Sequence, residues 1–163
     1  MWCSLLGLIV STIVISVNAQ GCPGGWLHHG SSCYAFIDSE PDGWLEAMFF
    51  CSSVKAKLVE IETESENTFL KRHLQAIGTP HNSSYWIGLS DIIQEGTYVW
   101  QTTQQRPDFT DWGSDEPNDL HHNEDCIELY QVKNFHWNDV ACSVKSKFIC
   151  EITLDGDSGI LGK

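Results

Sequence analysis

Apolar positions follow three different rhythms along this 163-residue chain. The first is a continuous run, Leu5 to Val17, broken only by Gly, Ser and Thr. The second has helical spacing. Trp44 to Val54 follows Pro41-Asp42-Gly43, a helix-start signal, and puts Ala47, Met48, Phe50 and Cys51 at inward positions. A second helix is expected from the capping box Thr63-Glu64-Ser65-Glu66. There Thr63 accepts from the Glu66 backbone and the Glu66 side chain reaches back. Phe69, Leu70, Leu74 and Ile77 then form a core-facing stripe. The third rhythm begins after Gly78. Short apolar runs at Tyr85–Leu89, Tyr98–Trp100, Cys126–Tyr130 and Phe148–Ile152 sit between turn residues and predict short strands. A long polar stretch from about Ser90 to Asp125 shows no regular period. Such a loop in a small domain is usually functional, and a bound ion is one way to organise it. The class read from this pattern is α+β with one large loop.

The Leu5–Val17 run is too short to span a bilayer comfortably and ends in Val17-Asn18-Ala19 before Gln20. It reads as a secretory signal peptide over residues 1–19. One domain is expected over residues 22–151, with a Gly- and Asp-rich tail at residues 152–163. Of the seven cysteines, Cys3 falls in the signal segment. The remaining six form no Cys-x-x-Cys pair, so in a secreted chain they predict three disulfides whose pairing the count leaves open.

The net charge of −13 excludes a basic nucleic-acid footprint and disfavours anionic membranes. It leaves solubility or a cation site as its meaning. The placement of the acids favours the second. The loop ends in Glu116-Pro117-Asn118-Asp119-Leu120-His121-His122-Asn123-Glu124-Asp125-Cys126, and Trp137-Asn138-Asp139 follows. Glu116, Asn118, Glu124, Asn138 and Asp139 are hard oxygen donors of the kind calcium takes six to eight of. No EF-hand loop is present.

These residues carry a resemblance. Glu116-Pro117-Asn118 followed by Trp137-Asn138-Asp139 resembles the sugar site of C-type lectins. Trp86-Ile87-Gly88-Leu89 and Gly96-Thr97-Tyr98-Val99-Trp100 resemble two of that family's strands. Cys22-Pro23 with Trp26 and Cys33-Tyr34 resembles the opening of its long form, and Phe148-Ile149-Cys150-Glu151 its closing strand. The likeness runs from Cys22 to Glu151.

The resemblance implies a C-type lectin-like fold of two helices, short antiparallel sheets and a calcium-organised loop. It implies the pairs Cys22–Cys33, Cys51–Cys150 and Cys126–Cys142, a cis Glu116–Pro117 bond, and a backbone ligand from Asp139. It implies a principal calcium on Glu116, Asn118, Glu124, Asn138 and Asp139, which also hold the sugar. An auxiliary calcium would sit on Asp91, Glu95, Asp119, Glu124 and Asp125. In the family, the Glu-Pro-Asn order goes with mannose, glucose, N-acetylglucosamine and fucose, which present neighbouring equatorial hydroxyls. Gln-Pro-Asp goes with galactose.

The expected function is calcium-dependent binding of microbial or cell-surface glycans outside the cell, in innate recognition or agglutination. No enzyme is expected, because no nucleophile–base pair or phosphate loop is visible. The competing reading is a lectin-like domain that binds protein or mineral without sugar. The histidine pairs His28-His29 and His121-His122 lack zinc-protease spacing. Asn82-Ser83-Ser84 is a candidate N-glycosylation site. Trp86, Trp100, Trp112 and Trp137 are expected in the core, while Tyr130 and Phe135 flank the loop at positions open to either sugar or core. Oligomeric state is left open.

Overall fold

The computed structural model describes residues 21–154. The expected signal peptide at residues 1–19, Cys3, and the tail from residue 155 onward lie outside the described residues. The chain forms β1 (Leu27–His29), β2 (Ser32–Asp42), α1 (Trp44–Ser53), β3 (Lys57–Leu58), α2 (Glu64–Ala76), β4 (Ser84–Ser90), β5 (Val99–Trp100), β6 (Cys126–Tyr130), β7 (His136–Val140) and β8 (Ser146–Thr153). The architecture is the expected α+β arrangement. Both helices and the four strand runs read from the sequence are present. β1, β2, β3 and β7 are additional.

The strands form one sheet in the order β1-β2-β8-β4-β6-β7, with β3 on β8 and β5 on β4. Most pairs are antiparallel. β4 and β8 run parallel, joining the two halves of the sheet. β4 is buried on both faces, which explains its apolar run Tyr-Trp-Ile-Gly-Leu. Alternate residues face opposite sides. Tyr85, Ile87 and Leu89 join Leu70, Leu74, Ile127, Leu129, Trp137 and Ile149 in the core under α2. Trp86 joins Trp44, Ala47, Cys51, Phe148 and Cys150 in a second core under α1. Gly88 permits a close crossing at the centre. A Cβ there would stand 2.9 Å from the Leu58 carbonyl oxygen. The Gly88 amide instead donates to the Val59 carbonyl at 2.7 Å.

The three disulfides are Cys22–Cys33, Cys51–Cys150 and Cys126–Cys142. The second ties α1 to β8. The third ties the start of β6 to the turn after β7, bracketing the segment that carries Trp137-Asn138-Asp139.

Two local expectations need correction. The Thr63 hydroxyl does cap α2, accepting from Glu66 N at 3.2 Å. Glu66 does not return the bond to Thr63. Its carboxylate accepts from Glu62 N at 3.0 Å and from the Tyr34 hydroxyl at 2.7 Å. A buried tyrosine from β2 claims the oxygen that a reciprocal box would use. Ile77, expected as the last rung of the buried stripe, is the C-cap of α2 and 46 % exposed. The helix ends before a fourth inward position is reached. The expected strand at Phe148–Ile152 is present as β8, whose pairing reaches Thr153 opposite Ser32.

Thr63→Ala removes the remaining half of the cap. The expected loss is about 1 kcal/mol, read from urea unfolding. A loss near zero would mean that solvent caps the helix equally well.

Candidate functional site

The long loop leaves β4 at Ser90 and returns at Cys126, and its two ends are stitched together. Asp91 N donates to the Asp125 carbonyl at 3.1 Å. Ser90 pairs with Cys126 in the sheet. On the far side of β6, β7 carries Trp137, Asn138 and Asp139 with an alternation that turns Trp137 and Asp139 inward. Trp137 is fully buried, and its indole N–H donates to Asn67 on α2 at 3.2 Å. Asp111 strengthens the same junction. Its carboxylate meets Lys71 at 2.7 Å, Asn67 at 2.7 Å and His136 at 2.8 Å. Its carbonyl accepts from Trp137 N at 2.8 Å. The helix thereby fixes the strand that presents Asp139.

Asp139 is 1 % exposed. Its carboxylate accepts from Asn118 N at 3.1 and 3.0 Å and from Asp119 N at 2.7 Å. A buried carboxylate needs such donors. Here the donors are the backbone of the loop itself, so Asp139 gathers the loop. The Glu116–Pro117 bond is cis. The Asn118 amide donates to the Glu116 carboxylate. The Glu116 side chain is 2 % exposed and pairs with Lys133. Burial holds the Glu116 carboxyl above its ordinary value, and Asp139 adds to this, while Lys133 opposes it.

Glu124 accepts from Leu120 N at 2.9 Å. Its carboxyl is likewise held up, first by burial and then by Asp139 and Asp119. Asn138 is the member turned partly away. Its amide nitrogen donates to the Asp139 carbonyl at 2.9 Å and lies 3.5 Å from Glu128. Thus Glu116, Asn118 and Asp139 touch one another, Glu124 stands within their field, and Asn138 borders them.

The second acidic group centres on Asp91, which is 1 % exposed. Its Oδ2 accepts from Gly96 N at 2.8 Å, while its buried Oδ1 has no partner among the described residues. Burial, with Glu95 and Asp125 adding repulsion, pushes the Asp91 carboxyl up to about 6. Asp119 is different. It is held below the ordinary carboxylate range, chiefly by His122, whose ring nitrogen lies 2.9 Å away. It also accepts from Glu124 N at 3.3 Å, which links the two groups.

Every candidate side chain offers oxygen; Asp91 and Asp139 are buried, Asp119, Glu124 and Asp125 are partly covered, and Glu95 is exposed. An orphaned buried oxygen on Asp91 adds an unmet demand for a donor or a cation. By donor type this set fits a hard divalent ion, calcium above all. Among the described residues, no three His, Cys, Asp or Glu side chains close on one centre. Backbone N–H groups and Lys133 take up the acids instead.

Two neighbours went unread in the sequence. Glu128 is buried on β6 opposite Asn138 and pushed up to about 7 by burial. Ser146 donates to it at 3.0 Å. An acid inside the apolar run Cys-Ile-Glu-Leu-Tyr is the signal that marks it. Lys133 has no such signal.

Of the aromatics, Phe135 is core at 2 % exposure, whereas Tyr130 is half-buried. Trp86, Trp100 and Trp137 are core, and Trp112 packs at its edge. His121 and His122 are exposed in the turn Leu120–His122, and His29 stacks on Phe69 at 4.4 Å. Asn82 is exposed in the turn before β4. A cleft of about 700 Å³ lined by His29, Glu64, Phe69 and Arg72 lies away from the acidic loop.

Residues 40–152 match the family described as the Lectin C-type domain. A perlucin-like protein from Mytilus galloprovincialis is 29 % identical over 157 residues, covering 90 % of this chain and 97 % of its own. The carbohydrate-recognition domain of the mouse scavenger receptor C-type lectin superposes with a TM-score of 0.73 at 31 % identity, over 83 % of this chain and 100 % of that one. The C-type carbohydrate-recognition domain of cow CD23, solved in the presence of a GlcNAc2Man3 oligosaccharide, gives 0.72 at 27 % identity, over 83 % and 98 %.

Proposed function

The chain belongs to the C-type lectin domain family, and from that premise we propose that it is a secreted, calcium-dependent lectin for sugars with neighbouring equatorial hydroxyls. It is a carbohydrate-recognition domain rather than an enzyme. The sugars proposed are mannose, glucose, N-acetylglucosamine and fucose.

The observation that carries this reading is the mutual contact of Glu116, Asn118 and Asp139 at the mouth of the loop. Glu116, Asn118, Glu124, Asn138 and Asp139 are the proposed principal calcium ligands. When bound, calcium supplies a Lewis-acidic centre that two hydroxyl oxygens can share. The chain's own residues do the reading. A hydroxyl has one proton to give and lone pairs to receive. The carboxylates of Glu116 and Glu124 accept, and the amides of Asn118 and Asn138 donate. Their order across Pro117 sets which hydroxyl geometry satisfies both.

Asp91, Glu95, Asp119, Glu124 and Asp125 are proposed to hold a second ion, with the unpartnered Asp91 oxygen as support. Residues 1–19 are proposed to be a cleaved signal. Three disulfides support an oxidising compartment, and no helix among the described residues is long and apolar enough to cross a membrane. Asn82 is proposed as a glycan acceptor from its exposed turn, and the natural targets as microbial or cell-surface glycans in innate recognition or agglutination.

Exchanging donor and acceptor tests the account. The double variant Glu116→Gln, Asn118→Asp should lose mannose affinity by roughly tenfold or more and gain galactose affinity. Each group left mispaired beneath a bound sugar costs about 1–3 kcal/mol. Competition by the two monosaccharides on one glycan array reads the change. Unaltered mannose preference would refute the donor–acceptor account.

A further inference from the structure

Lys133 plays no part in the donor–acceptor scheme, yet its ammonium sits on the Glu116 carboxylate. It also donates to the Ser114 carbonyl at 3.2 Å. The seat is built. Lys133 ends the turn Gln131–Lys133. That turn is fixed by Gln131 N donating to the Ser83 carbonyl at 2.9 Å and Phe135 N donating to the Tyr130 carbonyl at 2.8 Å. The lysine stem then passes over Gly113. A Cβ at that position would lie 2.9 Å from Lys133 Cδ and 3.4 Å from Glu116 Cγ. Any larger residue would push the lysine out of place. One side of the side chain remains open, at 28 % exposure, whereas Glu116 is at 2 %.

Electrostatics gives this seat a consequence. Glu116 and Asp139 are two nearly dry carboxylates bridged through the Asn118 residue. A cation beside them relieves their repulsion. A lysine ammonium is a compact point charge on a flexible stem, so it can occupy the carboxylate and also leave toward solvent. We propose that Lys133 is a tethered counter-cation that holds Glu116 in the calcium-free chain and competes with calcium for it. It thereby sets the calcium concentration at which the sugar site forms. The inference rests on the reading of Glu116 as a calcium ligand.

The test is calorimetric titration of the full mature chain with calcium chloride, following the binding step that Glu116→Gln removes. Lys133→Gln and Lys133→Met are compared with wild type, the second because it retains the packing over Gly113. Both should bind calcium about 3- to 10-fold tighter, as expected for losing one partly exposed competing ion pair. Both should also melt at lower temperature in chelator. Lys133→Arg should stay close to wild type on both readouts. Lys145→Gln, which removes a cation paired with Asp42 instead, should leave calcium affinity unchanged and so exclude a general charge effect. Equal or weaker calcium affinity in the two Lys133 variants, with wild type binding normally, overturns the inference alone. Absence of calcium binding in wild type and in every variant overturns both the inference and the site reading.

Discussion

Replacing Asp139 with asparagine is expected to abolish calcium-dependent sugar retention and to destabilise the domain by about 2–3 kcal/mol, though the side chain barely changes shape. The carboxylate is 1 % exposed and accepts from two loop amides, Asn118 N and Asp119 N. Hydrogen bonds to a buried charge contribute about 1.5–3 kcal/mol. An asparagine in this place offers one oxygen, and its NH₂ faces donors rather than acceptors. The loop strand from Asn118 to Asp119 would lose its anchor, and the proposed ion would lose a formal charge. Calcium affinity should fall by about 100-fold or more, beyond the 10–100-fold typical of residues that only support ligands. Urea unfolding in chelator isolates the structural part of the effect, and calcium titration gives the rest. Wild-type calcium affinity in this variant would remove Asp139 from the site.

The second large effect concerns the frame. Cys51 and Cys150 lie 99 residues apart in sequence and are both fully buried. Closing a loop of that length restrains the unfolded chain by about 4–5 kcal/mol in the chain-entropy description. Alanine is the suitable replacement at both positions, because a buried serine hydroxyl would add an unsatisfied polar group. The Cys51→Ala, Cys150→Ala variant should lose about 4–5 kcal/mol in urea unfolding, a large fraction of the stability of a domain this size. The Cys22–Cys33 pair closes a separation of only 11 residues, so its removal should cost about 3 kcal/mol. A reversed order would mean that local strain, not loop closure, governs the disulfides.

The parts of this molecule that were legible in its sequence are those where period and burial agree. β4 and β6 are apolar runs because both of their faces are covered. α2 announces itself by the Thr63 cap and by Leu70 and Leu74. β2 was not legible because its outer half, Asp38 to Asp42, is mostly exposed and polar, and its pairing with β8 joins segments far apart in sequence. β7 carries a motif but no strand signal, since its alternation points an aspartate inward beside Trp137. That violation of the strand pattern is where the candidate chemistry sits. The same logic governs the site. Residue type marks Glu116, Asn118, Glu124, Asn138 and Asp139 as oxygen donors suited to one ion, and Asn118 touches both Glu116 and Asp139. Lys133 left no trace, because its place depends on a missing side chain at Gly113, twenty residues earlier. Likewise, Glu66 turns from its own helix cap to Tyr34, a partner 32 residues away.

The most direct test of the central reading is retention of the chain on immobilised mannose in millimolar calcium, followed by chelator. The account predicts retention in calcium, complete release by chelator, and recovery on adding calcium back. Retention that survives chelator, or passage through the column in calcium, would contradict it.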